Sequence, residues 1–192
     1  VSQLKNKVIF KMKQRVLLAM SGGVDSSVAA KLLLNQGYEV VGLTLKVWSY
    51  ESTYFGKQGK KSDSDYIIKA QNLANQLQIE HHLIDIQEQF HSTIIEPFIQ
   101  EYFKGRTPNP CVMCNPTMKF NTFIQMANQL NCDFIATGHY VNKIFENGRF
   151  IITQGKDEKK DQSYVLWKLD QEILKKSLFP LGNFQKDEIK EL

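Results

Sequence analysis

The segment "RVLLAMSGGVDSSVAAKLLLNQGYEV" (15–40) restricts the fold more than any other part of the chain. A short apolar run, Arg15 to Met20, ends on Ser21-Gly22-Gly23-Val24-Asp25-Ser26, and a helical pattern begins at once. Val28, Leu32 and Leu33 fall on one helical face, and Gly37 stands where helices commonly stop. A buried-type strand that feeds a helix through a tight glycine turn opens a β–α–β unit, whose next strand returns parallel to the first. "EVVGLTLKVW" (39–48), rich in β-branched residues, is the predicted second strand.

The alternation continues. Residues 49–62 are predicted to be a polar, glycine-containing loop, 63–77 a helix and 81–86 a third strand. Residues 87–105 read as a long helix made irregular near Pro97, which has no N–H to donate. "RTPNPCVMCN" (106–115) reads as a proline-stiffened loop, 116–130 as an amphipathic helix and 133–140 as a fourth strand. "VNKIFENGRFIIT" (141–153) is a predicted β-hairpin turning on Asn147-Gly148. The expected fold class is therefore α/β, a parallel, Rossmann-like sheet covered on both faces that binds ligands beyond the carboxyl ends of its strands. One unit is expected over 12–153, with residues 1–11 as an N-terminal extension, and the start of a second, helical unit over 154–192.

Composition narrows the function classes. At 192 residues and 42% hydrophobic, the chain can bury a real core, and no apolar run approaches the roughly 18 residues of a membrane helix. The net charge of +4 is compatible with nucleic acid without requiring it. Three cysteines, an odd count with Cys111 and Cys114 three positions apart, argue against a disulfide framework and for a reducing, cytoplasmic setting. Cys111 and Cys114 form C-x-x-C, but a structural zinc wants four ligands and no second C-x-x-C or H-x-x-x-H exists. An iron–sulfur cluster on Cys111, Cys114 and a cysteine beyond residue 192 stays an open alternative. Cys132 reads as packing, His81 and His82 as strand-start residues without chemistry, and Trp48 and Trp167 as core or base-stacking candidates.

The glycines let successive backbone N–H groups turn inward around an anion at the start of a helix. Ser21 and Ser26 add hydroxyl donors, and Asp25 is a magnesium-side or loop-ordering carboxylate. Without a Gly-Lys-Ser/Thr ending or a GxGxxG pattern, this is neither a Walker loop nor a dinucleotide loop. It resembles the SGGxDS PP-loop of the ATP pyrophosphatase, or adenine nucleotide alpha hydrolase-like, superfamily. Its members cleave ATP between the α- and β-phosphates and transfer AMP to a substrate oxygen.

"GRTPNPCVMCNPTMKF" (105–120), "IATGHY" (135–140), "KDQSYVLWKL" (160–169) and "FPLG" (179–182) follow that loop in order. Together with it they resemble the tRNA-specific 2-thiouridylases of the MnmA type, over nearly everything from Met12 to Leu192. The resemblance implies ATP-dependent 2-thiolation of the tRNA wobble uridine, with ATP and Mg2+, and sulfur supplied by a delivery protein such as a cysteine desulfurase or relay. It assigns Ala19, Met20, Ser21, Gly22, Gly23, Val24, Asp25, Ser26 and Leu45 to the ATP pocket and Gly138 to the adenosine. Cys114 becomes the catalytic cysteine beside the flipped base. Asn109, Pro110 and Cys111 face that base, and His139, Lys160, Asp161 and Gln162 contact tRNA. Many relatives carry an aspartate where this chain has Cys111, and a thiol acts as a base only if its pKa is lowered. The family's persulfide cysteine and a β-barrel are expected beyond Leu192. Two other functions fit the loop alone. One is a small-molecule PP-loop ligase or amidotransferase, which has no use for "PNPCVMCN"; the other is an ATP-holding module without chemistry.

Overall fold

The computed structural model describes residues 13–47 and 64–192. Strand β1 (Arg15–Ala19) is central to a five-stranded, wholly parallel sheet, with Glu39–Lys46 and then Glu80–Asp85 on one side of it and Phe134–Ala136 and then Ser177–Leu178 on the other. From β1 the chain crosses through α1 (Val24–Asn35) to β2 (Glu39–Lys46), then through α2 (Ser64–Gln76) to β3 (Glu80–Asp85). It returns to the other side of β1 for β4 (Phe134–Ala136), which pairs with β1 through Val16 to Leu18. The order of connections thus reverses between β1 and β4, and a crevice opens beyond their carboxyl ends.

Strand alternation builds the two cores. Val16, Leu18 and Met20 pack with Val28, Ala29, Ala30 and Leu33 of α1 and Ala70 and Ala74 of α2. Leu17 points the other way, toward Phe120, Phe123 and Ala127 of α6 (Phe120–Gln129). Every side chain from Val16 to Leu18 is buried, as expected for a strand covered on both faces.

The helical stretch after β3 runs as α3 (Gln87–Phe90), a widened π turn (His91–Ile95) and α4 (Glu96–Phe103). The irregularity expected near Pro97 is that turn. It brings Pro97 into the first turn of α4, where a missing N–H breaks no helical bond. The segment read as a proline-stiffened loop is corrected. Its second half is a helix, α5 (Pro110–Cys114), because the Asn109 side chain accepts the Cys111 N–H at 3.2 Å and Pro110 fits the first helical position. A second π turn (Asn115–Lys119) then joins α5 to α6, so thiols and amphipathic helix belong to one run.

β4 is shorter than predicted, ending at Ala136 before Thr137, Gly138 and His139 leave the sheet. The hairpin forms as expected from β5 (Val141–Glu146) and β6 (Arg149–Gln154), with positive φ at both Asn147 and Gly148. Residues 154–192 contribute to the main sheet and to both cores. β7 (Ser177–Leu178) extends the main sheet beside β4. Leu166 and Ile173, the latter on α7 (Gln171–Lys176), enter one core, while Leu181 and Ile189, the latter on α8 (Lys186–Glu191), enter the other. Short apolar runs look alike whether they cover a new layer or an existing one, so periodicity could not decide this. Trp48, the loop 49–62 and the extension 1–11 lie outside the described residues.

Leu181 is fully buried, so Leu181→Ala should destabilise the whole fold by about 2–5 kcal/mol. Denaturation followed by far-UV circular dichroism should give one transition at lower denaturant; two transitions, with the main one unmoved, would restore a separate unit.

Candidate functional site

The loop after β1 needs its two glycines for different reasons. Gly22 has φ +68°, and a Cβ there would lie 2.6 Å from Lys69 Cβ and 2.7 Å from the Tyr66 carbonyl oxygen. Packing against α2 therefore demands glycine. Gly23 has ordinary extended backbone as the N-terminal flank of α1, and a Cβ there would meet only Ser21 Oγ, at 3.6 Å. Nothing in the described protein requires glycine at 23. Its missing side chain leaves a ligand free to approach backbone N–H groups at the start of a twelve-residue helix.

Ser26 is buried and works inward. Its hydroxyl donates to the Gly23 carbonyl at 2.9 Å and accepts the Ser21 N–H at 3.4 Å, so the hydroxyl read as a phosphate donor staples the loop instead. Asp25 accepts from Tyr140 Oη at 2.7 Å and from Lys186 Nζ at 2.5 Å, both at Oδ1. These contacts serve the loop-ordering reading through Oδ1 and leave Oδ2 for the magnesium-side one. Burial, then the Asp25 carboxylate, push the Tyr140 pKa up, so the phenol remains a donor at neutral pH.

A cleft of about 400 Å³ lies over this loop, between β1 and β4. Leu43, Leu45 and Phe123 form an apolar wall suited to a flat ring, and Ser21, Asp25, Thr137 and Gln162 form a polar one. Ala19, Met20, Ser26, Gly138 and His139 complete most of the expected pocket. Gly138 sits on the loop, where a Cβ would lie 3.4 Å from Asp25 Cβ. The His139 ring stacks on Phe120, and its Nδ1 lies 2.7 Å from Thr137 Oγ1. Burial, helped by Lys119, lowers its pKa to about 4, so the ring is neutral at pH 7.

Lys119 lines the same cleft and was missed in the sequence. Its signal was position: five residues after Cys114, at the end of "NPTMK", on a run whose neighbours face the sheet.

Of the other assigned residues, all but Gln162 lie outside the cleft lining. Cys111 is exposed on α5, whereas Cys114 is only 5% exposed, packed with Ile86, Ile94 and Met118. Burial pushes the Cys114 thiol pKa up, and the Lys119 ammonium pulls it back. Asn109 and Pro110 line a second groove together with Pro97, Phe98 and Met113. Gln162 joins the cleft and accepts the Tyr140 N–H at 3.1 Å. Asp161 holds its own turn, accepting from Gly155 N and Ser163 Oγ, while the Lys160 side chain is exposed. Cys132 is buried as predicted for packing. His81 Nε2 donates a 2.9 Å hydrogen bond to Thr44 Oγ1, whose own proton goes to the Met20 carbonyl beneath the loop. Trp167 is 60% exposed, against the core reading. Among the described residues no three His, Cys, Asp or Glu converge as metal ligands, so a cluster on Cys111 and Cys114 would need ligands from elsewhere. No described helix is long and apolar enough to cross a membrane.

Two outcomes are expected. Gly22→Ala should lose about 2 kcal/mol or more of stability, whereas Gly23→Ala should unfold within a degree or two of the parent yet bind ATP at least tenfold more weakly, by thermal melts and nucleotide titration. Folded His139 refuses a proton that the unfolded chain accepts, so stability should fall as pH drops from about 6.5 to about 4. His139→Gln should flatten that part of the slope, leaving the smaller contribution of His81, whose pKa burial also lowers.

A sequence profile of the family described as tRNA methyl transferase HUP domain matches residues 14–192. Similar curated proteins include tRNA-specific 2-thiouridylase MnmA of Amoebophilus asiaticus, 50% identical over 185 residues, 94% of this chain and 48% of that protein. MnmA of Cytophaga hutchinsonii is 49% identical over 179 residues, 93% of this chain and 49% of that protein. The chain thus spans about half the length of the curated relatives it matches. The fold also resembles the U34-tRNA thiolase NcsA of Methanococcus maripaludis, at TM-score 0.57 and 19% identity, over 96% of this chain and 58% of that one. A predicted subunit of tRNA methyltransferase from Methanocaldococcus jannaschii superposes at TM-score 0.54 and 16% identity, over 93% and 73% of the two chains. On the match over residues 14–192, this chain belongs to the tRNA methyl transferase HUP domain family.

Proposed function

We propose that this chain is the adenylating part of a tRNA 2-thiouridylase. It activates the C2 oxygen of the wobble uridine with AMP so that a sulfur nucleophile can replace it. One observation carries the reading: a single helical run supplies both the cleft wall, through Lys119 and Phe123, and the thiols Cys111 and Cys114. At 1.5 Å per residue, Cys114 stands only about 7 Å of axial rise from Lys119. Sulfur chemistry and nucleotide chemistry therefore share one frame. The identity of about half to proteins named tRNA-specific 2-thiouridylase supports the same substrate class.

The chemistry follows from the carbonyl. A uracil C2 oxygen is a poor leaving group, and AMP attached to it is a good one. The uridine oxygen attacks the α-phosphorus, and pyrophosphate departs toward the glycine loop. Gly23 lets the phosphates reach the backbone donors, and Ser21 adds a hydroxyl at the cleft. The apolar wall at Leu45 and Phe123 takes the adenine. Asp25, the one carboxylate lining the cleft among the described residues, is the group that would face Mg2+, and the ion would supply charge neutralisation to the phosphates. Neutral His139 presents a hydrogen-bonding edge rather than a charge. Cys111, exposed next to the Asn109–Pro110 groove, is the accessible thiol, and Cys114 must be uncovered before it reacts. The target uridine enters flipped from a single-stranded loop, where unstacking costs least. A delivery protein brings the sulfur, and the tRNA partner lies on the cleft side.

The test is AMP transfer from α-phosphate-labelled ATP to a tRNA transcript with wobble uridine, in this chain and in the full-length protein. Label on that transcript, absent with wobble cytidine and with a Ser21→Ala/Asp25→Ala variant, is expected. Pyrophosphate release driven by a small amine or acid but never by RNA would overturn the reading in favour of a small-molecule ligase.

A further inference from the structure

Lys119 has a surplus of charge that the folded chain does not use. Among the described residues it is the one cation lining the cleft, and it has no hydrogen bond or ion pair there. The one carboxylate in that lining, Asp25, is already paired with Lys186 from α8. The remaining walls are apolar side chains or neutral polar ones, including His139. A half-buried ammonium that meets no unpaired carboxylate among the described residues of the cleft is an electrostatic vacancy for an anion.

Position says which anion. The glycine loop offers its backbone donors from the α1 side of the cleft, and Lys119 comes from α6 and the π turn, on the opposite core face. Lys119 also stands between the cleft and Cys114, in electrostatic reach of both Cys114 and His139. The atom of a nucleotide that must meet the sulfur centre is the α-phosphorus, with the pyrophosphate on the loop and the adenine against Leu45. We propose that Lys119 binds the α-phosphate of the nucleotide and neutralises the charge that AMP gains when it leaves the uridine. This rests on the adenylation reading given above.

The step balances. A sulfur nucleophile, persulfide or hydrosulfide, forms a bond to C2, and the C2–O bond breaks with its electron pair kept by the AMP oxygen. The phosphate group goes from one negative charge as a diester to two as AMP. An ammonium fixed at that phosphate stabilises the second charge more than the first, which is what favours departure rather than mere binding. Lys119 thereby differs from the loop amides, which serve the pyrophosphate half of the reaction.

Binding by this chain of adenosine, AMP and inorganic pyrophosphate, measured by calorimetry on parent, Lys119→Gln and Lys119→Arg, tests the assignment. Lys119→Gln should bind AMP at least tenfold more weakly while adenosine and pyrophosphate stay within about twofold, and Lys119→Arg should recover most of the AMP affinity. Equal AMP affinity in parent and Lys119→Gln would overturn the proposal and leave the adenylation reading standing. Loss of pyrophosphate binding instead of AMP binding would move Lys119 to the β-phosphate and overturn the α-assignment. A parent chain that binds none of the three would overturn both readings.

Discussion

Parallel pairing of β1 on both edges is the constraint from which the site follows. Val16, Leu17 and Leu18 are hydrogen-bonded to β2 on one side and β4 on the other, and buried above and below. A strand so enclosed cannot shift register without exposing its apolar residues on one face. Its carboxyl end is therefore fixed, and the chain leaves it at the opening between two connections that depart in opposite directions. The glycine turn and the Thr137–His139 edge face each other across that opening because β1 and β4 are in register, with Leu18 opposite Ala136. At the amino end Arg15 does comparable work on one side, bonding Glu39 on the adjacent β2 and Glu80 on β3 beyond it.

The second organising element is the helical run from Asn109 to Gln129. Its widened turn at Asn115–Lys119 adds a residue per turn locally, which changes the faces presented by the segments on either side. Before the turn, Val112 and Cys114 are buried; after it, Phe120 and Phe123 enter the core beneath β1. Asn115, inside the turn, is buried with its amide donating to the Val165 carbonyl and its Oδ1 left without a hydrogen-bond partner. An unsatisfied buried oxygen next to Cys114 is the kind of strain that a rearrangement of this run would relieve.

The parts of this structure that depend on short-range chemistry were legible in the sequence. "SGGVDS" after "RVLLAM" gave the β1–loop–α1 unit, and Asn147-Gly148 gave the hairpin, because each needs only neighbours and a φ preference. The start of α5 carried its own signal in Asn109-Pro110, but the prolines of "RTPNP" drew the reading toward a loop. The fate of residues 154–192 was not legible, since two residues, Ser177 and Leu178, suffice to join the sheet and no pattern that short is informative. The site divides in the same way. Residues that hold the loop together were named, yet their partners, Lys186 and Tyr140 for Asp25, are set by tertiary packing. Lys119 escaped because a lysine on a helix ordinarily means solvent; only the fold turns it toward a cleft.

Asp25 and Lys186 are 161 positions apart, and their ion pair spans nearly the whole chain. The glycine loop is translated 161 residues ahead of this counter-ion, so in the growing chain Asp25 stands at the loop without Lys186 until α8 docks. Until then its carboxylate opposes the approach of a polyphosphate, and docking of α8 offsets that repulsion.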